Sequence, residues 1–373
     1  MGHGHGHGHG SHRAGADVEI ARLPRLVLLG LLAVAFLLTG VGARLSLGQR
    51  SRRELSRFLL TRGLWLIVLE AVVLRCLAYQ FNADFHVTML LVLWALGWSM
   101  ITLAGLAWLG PQSAAAVGAV LVIGHNAFDG VRIASPLWTI LHGPGIVLST
   151  PIVFAAYPLI SWVGVTALGY ALGGIYLDGT PVDTTTAAPG ITFRQSSTRS
   201  RRLRRAGVLC LLAFVVLRWT NLYGDPSPWT HQPAASFTLL SFVNTTKYPP
   251  SLAFLLMTLG PALLLLAAAD GGVPRVLRPV AVFGRVPLFY YTVHFFTLHA
   301  LAVIVCLWRY GSAHWMIESP DLAHYPFTPP PGWGYTLPVV YGVWLAVVAL
   351  LYPLCVRFGQ LKRTHPGGWL SYL

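Results

Sequence analysis

The 373-residue chain is 55% hydrophobic and only 10% charged, with a formal charge of +14 at neutral pH and a mean hydropathy of +0.63. Soluble domains carry about 25% charged residues, so the composition excludes an ordinary water-soluble protein. The positive charge does not indicate nucleic acid, because the arginines fall in short clusters between apolar runs, as in cytoplasmic loops. The four cysteines, Cys76, Cys210, Cys306 and Cys355, all lie inside apolar runs without metal-ligand spacing. They read as small packing residues, and neither a disulfide framework nor a metal site is expected. The fold class that follows is all-α, a polytopic transmembrane helical bundle.

Residues 1–20 open with MGHGHGHGHGSH, which has the composition of an affinity tag and is set aside from fold reasoning; a native metal-binding tract is the other reading. Residues 21–373 are expected to form a single membrane domain. About 20 apolar residues cross a bilayer as a helix. On that basis nine spans are expected, near 24–43, 59–79, 87–109, 113–128, 152–177, 205–221, 250–269, 287–309 and 336–356. No cleavable signal peptide is expected, since the first apolar run leads directly into a basic loop. Basic clusters follow the first span (Arg44, Arg50, Arg52, Arg53, Arg57), precede the sixth (Arg199, Arg201, Arg202, Arg204, Arg205), precede the eighth (Arg275, Arg278, Arg285) and end the chain (Arg357, Lys362, Arg363). Nine crossings put all four on one side, which the positive-inside rule makes cytoplasmic, together with the C-terminus. Two linkers interrupt the pattern. Residues 178–200 are Thr/Ser/Pro-rich and read as a flexible cytoplasmic loop. Residues 311–335 are proline-rich and read as an extended outer cap.

Polar residues inside or beside apolar spans are costly and mark functional candidates. In the second span Glu70 lies halfway along, with Arg62 at the cytoplasmic end. Glu70 reads either as a buried pair with Arg75 or Arg218 or as a carboxylate facing a cavity. The fourth span ends GHNAFDG, in which His125 and Asp129 are four apart and share a helix face. An oriented imidazole of that kind suits a general base; a self-capped helix end is the structural alternative. After the sixth span, Asn221, Tyr223 and Asp225 sit in a turn-rich patch, NLYGDPSPW. Asn244, Lys247 and Tyr248 precede two prolines, and Ser251 is positioned to cap the seventh span. On the eighth span Tyr290, Tyr291 and His294 share a face, while His299 lies about 140° around from His294 and is expected to bond a neighbouring helix. Arg285 at the cytoplasmic mouth, with Arg62 and Arg278, suits a phosphate group, since guanidinium grips phosphate oxygens bidentately.

Several strings carry a resemblance. SFVNTTKYPPSLAFLLMTLGPALLLL and FGRVPLFYYTVHFFTLHA resemble the signature of a bacterial membrane family related to the catalytic domain of heparan-alpha-glucosaminide N-acetyltransferase. That family lies near the YeiB-like and other transmembrane acyltransferases. LSRFLLTRGLWLIVLE, YPLISWVGVTALGY and RWTNLYGDPSPW are similar to further blocks in the same order. The resemblance covers roughly residues 34–310. It implies transfer of an acyl group, acetyl from acetyl-CoA, to an amine or hydroxyl of a sugar-like acceptor at a bacterial inner membrane, without a metal. On this reading His294, His125 and Asp129 are the candidate catalytic residues, and Arg285, Arg62, Arg278 and Tyr290 the donor-binding residues. Glu70, Asn221, Tyr223, Asp225, Asn244, Lys247 and Tyr248 line the acceptor side or cavity; Tyr290, Asn244 and Lys247 are the candidates to stabilise charge. The family's preceding helix with an Asp-His motif has no counterpart here, so the resemblance implies a chain that is N-terminally incomplete or divergent. A transporter or flippase, or a non-catalytic remnant of the family, would use the same intramembrane polar residues; the absence of duplicated halves disfavours transport.

Overall fold

The computed structural model describes residues 22–177, 197–270, 272, 274–365 and 370, with side chains from residue 32. The N-terminal histidine tract and residues 178–196 of the first linker lie outside the described residues. In chain order the helices are α1 (Arg22–Ser46), α2 (Arg52–Val68), α3 (Val92–Leu109), α4 (Pro111–Gly124), α5 (Leu159–Leu172), α6 (Ser197–Thr220), α7 (Ala235–Val243), α8 (Leu252–Ala269), α9 (Arg278–Arg285), α10 (Pro287–Tyr310) and α11 (Leu337–Thr364). Strands β1 (Val87–Leu90), β2 (Gly145–Ser149) and β3 (Ile152–Ala155) form a small sheet in the order β1-β3-β2, with β1 parallel and β2 antiparallel to β3. The molecule is therefore mostly helical with a strand component that the apolar runs concealed.

Among the described residues, five helical segments are long and apolar enough to cross a membrane: Val92–Leu109, Leu159–Leu177, Leu252–Ala269, Pro287–Tyr310 and Leu337–Thr364. This is fewer than the nine spans the hydropathy pattern suggests, and the reasons are local. The expected third and fifth spans are among the five but begin later than expected, because their fronts are β1 and β3. The expected fourth span is a 14-residue helix, α4, that ends in a 3-10 turn at His125–Phe128. The sixth, α6, opens on STRSRRLRR and carries a further arginine, Arg218, near its end. The second, α2, opens on arginines and changes its winding at Leu69, continuing as a π-helix to Tyr79. Its start carries a capping box: the Ser51 N–H donates to Glu54 Oε2 (2.7 Å) and the Glu54 N–H to Ser51 Oγ (3.3 Å). Residues 311–335 contain two 3-10 turns, His314–Met316 and Leu322–His324, and are otherwise irregular, in keeping with their prolines.

The chain divides into two compact units, one of residues 1–56, 102–133 and 159–270, the other of residues 57–101, 134–158 and 271–373. In the first, helices meet at glycines. An added Cβ at Gly118 would lie 2.8 Å from Gly164 O, and one at Gly207 would lie 2.8 Å from Gly260 O, so α4–α5 and α6–α8 cross backbone to backbone. Small residues allow this approach, which replaces the hydrophobic drive missing between helices in lipid. Phe36 of α1 stacks on the buried Trp162 of α5 with ring centroids 4.5 Å apart. In the second unit Gly63 and Gly97 bring α2 and α3 together in the same way. Val286, Cys355, Phe358 and Leu370 form a core cluster there, with Phe283 and Phe289 packed against it.

Candidate functional site

In the second unit the polar residues gather on the π-helical segment Leu69–Tyr79. π-Winding widens the helix and is often found at functional sites. Glu70 is fully buried there. Its Oε1 accepts from the Tyr79 hydroxyl (3.1 Å) and the Tyr291 hydroxyl (3.5 Å), and those two hydroxyls lie 3.1 Å apart. Its Oε2 accepts from the backbone N–H of Trp94 (2.9 Å), in the first turn of α3. The first N–H groups of a helix have no intrahelical partner and carry a partial positive charge. Glu70 thus caps α3 from a distant element, in a stretch (LLVLWALG) that offers no polar cap of its own.

Glu70 does not pair with either arginine expected for it. Arg75, also buried, donates to Asn82, to Asp84 (2.8 Å) and to the Val87 carbonyl (3.2 Å). Its donors are occupied by the loop that follows the π-helix. Arg218 belongs to the first unit and is bonded there. Among the described residues, the Glu70 carboxyl has no cationic partner.

One turn further along α10, His294 stacks on Tyr290 (centroids 5.1 Å apart, 10° between planes) and stands edge-on to Tyr291 (5.9 Å). Its Nδ1 lies 2.7 Å from Tyr291 O and 3.2 Å from Tyr290 O. A carbonyl oxygen only accepts, so Nδ1 carries the hydrogen and Nε2 presents the lone pair. His299 is buried, bonds the Met316 backbone and packs edge-on to Phe81; its partner is the turn at His314–Met316, not a neighbouring helix. Among the described residues its Nε2 is buried without a hydrogen-bond partner, as are Gln80 Oε1 and the Tyr325 hydroxyl. Burial pushes the Tyr325 hydroxyl well above its ordinary range, against the opposing pull of Arg75, so it remains protonated. The Gln80 Nε2 group donates to Pro326 O (3.0 Å), Asn82 Nδ2 donates to Ile317 O, and His86 Nε2 lies 2.9 Å from Pro320 O. Three side chains thereby tie the irregular 313–327 segment to the end of the π-helix.

The arginines expected at the donor side also lie in this unit. Arg278 and Arg285 bracket α9 and are exposed. Arg62 is half-buried, lies over the Phe58 ring (5.8 Å) and is near enough to Lys362 for their charges to oppose. Tyr290 packs on Phe283 (4.8 Å).

The remaining candidates fall in the first unit, where they are engaged with the backbone. Arg218 is buried and donates to the carbonyls of Phe242 (2.8 Å), Ser227 (2.9 Å), Ser241 (2.8 Å) and Asn244 (3.2 Å), with Asp225 at 3.7 Å. Asp225 accepts from Ser227 N–H (2.9 Å), from the Thr246 N–H (3.0 Å) and hydroxyl (2.7 Å), and from the Ser251 hydroxyl (3.0 Å). Gly224 adopts φ +88°, a left-handed conformation that glycine enters freely, and its carbonyl accepts from Ala253 N–H (2.8 Å). Asn221 takes φ +51° and exchanges two hydrogen bonds with the Trp229 backbone. The Tyr223 hydroxyl donates to Ile123 O, and burial pushes that hydroxyl above its ordinary range. His125 has Nδ1 2.9 Å from Val122 O and Nε2 2.8 Å from Pro250 O. With both nitrogens on carbonyl oxygens, neither is open to a substrate. Asp129 accepts from Asn126 Nδ2 (2.7 Å). Asn244 and Tyr248 are exposed, and Lys247 forms a backbone bridge with Pro250.

The proposed catalytic and acceptor residues are thus divided between the units. His294, Tyr290, Glu70 and the three arginines share one; His125, Asp129, Asn221, Tyr223, Asp225, Asn244, Lys247 and Tyr248 share the other. Sequence reasoning missed Tyr79 and Asn126. Nothing in a lone tyrosine at the end of an apolar run announces a carboxylate partner nine residues back. No protein-family model, curated protein or solved structure matches the chain.

Proposed function

We propose that this polytopic membrane protein is an acyltransferase that passes an acetyl group from acetyl-CoA to an amine or hydroxyl of a sugar-like acceptor. It would do so in a bacterial inner membrane, as the resemblance to the heparan-alpha-glucosaminide N-acetyltransferase-like family implies, with its C-terminus in the cytoplasm, the side that the positive-inside rule favours for the arginine clusters. The observation that carries the reading is the His294 ring. The Tyr291 carbonyl fixes Nδ1 as donor, which orients Nε2 as the proton acceptor a general base needs. In the reaction Nε2 takes the proton of the acceptor N–H or O–H as that atom attacks the thioester carbonyl. The new C–N or C–O bond forms, the C–S bond breaks, and the imidazolium returns its proton to the departing thiolate.

Arg285, Arg278 and Arg62 supply positive charge for the donor's phosphates, a role that suits planar guanidinium groups. Tyr290 holds the face of the His294 ring. Glu70, with Tyr79 and Tyr291, contributes the polar interior from which an acceptor hydroxyl or amine can be bonded.

The test is acetyl-CoA-dependent CoA release by the purified protein in detergent, beside His294→Ala. Loss of roughly 10²–10⁴-fold in turnover with retained acetyl-CoA binding is the expected result. Turnover unchanged in a folded His294→Ala protein would remove the histidine, and acceptor movement across a bilayer without CoA release would replace the reading with transport.

A further inference from the structure

The stretch from Arg275 through α9 presents a face that nothing among the described residues of the second unit covers. Val276 is 86% exposed, Leu277 51% and Val280 63%. Arg275, Arg278 and Arg285 are exposed among them. The opposite side of α9 is anchored: Phe283 packs against Tyr290 (4.8 Å) and Tyr352 (5.9 Å), and with Val282 against the Cys355–Phe358 cluster. The short helix is therefore held in place with one apolar side inward and a mixed apolar and cationic side outward.

Two further observations identify the occupant. There is no Asp or Glu between Asp270 and Glu318 in the sequence, and among the described residues none of these three arginines has a carboxylate partner. The charge is thus uncompensated among the described residues. In addition, α9 leads after one residue into α10, a membrane-length helix, and packs on α11, another, whose last turns carry exposed Arg357 and Arg363. A helix with exposed valine and leucine beside arginine, joined directly to a spanning helix, has the chemistry of a segment lying in the headgroup layer. Basic residues there attract anionic lipids.

We propose that Arg275–Val280 is a binding surface for anionic phospholipid, with Val276, Leu277 and Val280 entering the acyl boundary and Arg275 holding a headgroup phosphate. The inference does not depend on the acyltransferase reading.

The test uses the full chain in nanodiscs containing equal phosphatidylglycerol and phosphatidylcholine, delipidated stepwise, with retained lipid counted by native mass spectrometry. Wild type is expected to keep phosphatidylglycerol preferentially. Arg275→Gln should weaken that retention roughly fivefold, the effect of one basic residue near a charged surface. A nitroxide at Val276→Cys, in a variant with the four native cysteines replaced by alanine, should be reached by oxygen and shielded from a water-soluble nickel relaxant. Equal retention of the two lipids, wild-type retention in Arg275→Gln, or a label open to the nickel relaxant would each overturn the proposal. Acetyl-CoA affinity, measured alongside, should not change in Arg275→Gln. Absence of any acetyl-CoA binding would break the donor-site reading and leave the lipid result standing.

Discussion

Two helices of this protein begin inside packed surroundings, and they are capped in opposite ways. At the start of α8 each early N–H finds a separate, nearby acceptor. Leu252 N–H donates to Asn126 Oδ1 (2.8 Å), Ala253 N–H to Gly224 O (2.8 Å) and Phe254 N–H to Ser251 Oγ (3.1 Å). Behind them Asp225 is bonded to Ser251 and lies beside Arg218. At the start of α3 one carboxyl, Glu70, takes the Trp94 N–H, shares its other oxygen with two tyrosines and has no cation beside it. In the first arrangement the carboxylate has both a counter-charge and four donors, as a structural knot requires. The second sits on a π-helix, near buried polar atoms that have no partner. Polar groups left in that state mark a place where a ligand or water completes the bonding.

The contrast predicts different responses to isosteric neutralisation. Asp225→Asn leaves the Arg218 guanidinium buried without its counter-charge and turns one accepting oxygen into an NH₂, so that two of the four donors lose their acceptor. Breaking a buried pair in this way costs about 3–5 kcal/mol, and thermal unfolding in detergent should show a large loss of stability. Survival of Asp225→Asn at wild-type stability would remove the knot's structural role.

Glu70→Gln should be milder. It strands no cation, and its main loss is the hydrogen bond at Trp94, where a side-chain NH₂ cannot accept. The expected cost is about 1 kcal/mol, with acetyl-CoA-dependent turnover falling more than stability does. Tyr79→Phe, which removes one donor to the same oxygen, should behave alike and be non-additive with Glu70→Gln, since the two groups touch. Additive effects on unfolding would show that the two groups act separately.

Glu54 gives the smallest effect and a floor for the other two. It is exposed and makes the same kinds of bond, to the Ser51 backbone N–H first and the Ser51 hydroxyl second, and these hold its carboxyl below the ordinary glutamate range. Because the folded value is depressed, the capping box contributes fully above the unfolded glutamate pKa. It is lost as pH falls through the folded value. The protection factors of the amides in the first turn of α2, which correct for the intrinsic pH dependence of exchange, should therefore fall under acid in wild type, and in Glu54→Gln should be low and nearly independent of pH across that window.

Several parts of this picture were legible in the residues themselves. Ser251 was readable as the cap of α8, because a serine before an apolar run, after two prolines, leaves few other roles. The pairing of Tyr290 with His294 followed from a spacing of four on one helix. The polar partners of Glu70 were not readable. Arg75 and Arg218 were nearer in sequence logic, yet both are drawn to loop groups that only the folded chain brings within reach. The front ends of the spans at 87–109 and 152–177 were misread for a related reason, although each run still holds a membrane-length helix: an apolar run has no period that separates a buried strand from a helix, and pairing between β1 and β3 decides it.

The sequence by itself determined the membrane-protein composition, the mostly helical architecture and the clustering of arginines, because these depend on how many apolar and charged groups lie within a bilayer's length of chain. Tertiary structure decided which buried polar groups are satisfied by one another and which are not. Hydrogen bonds between residues as distant as Glu70 and Tyr291, or Asn126 and Leu252, depend on how helices pack, and that packing is set by shape and small-residue contacts rather than by local pattern.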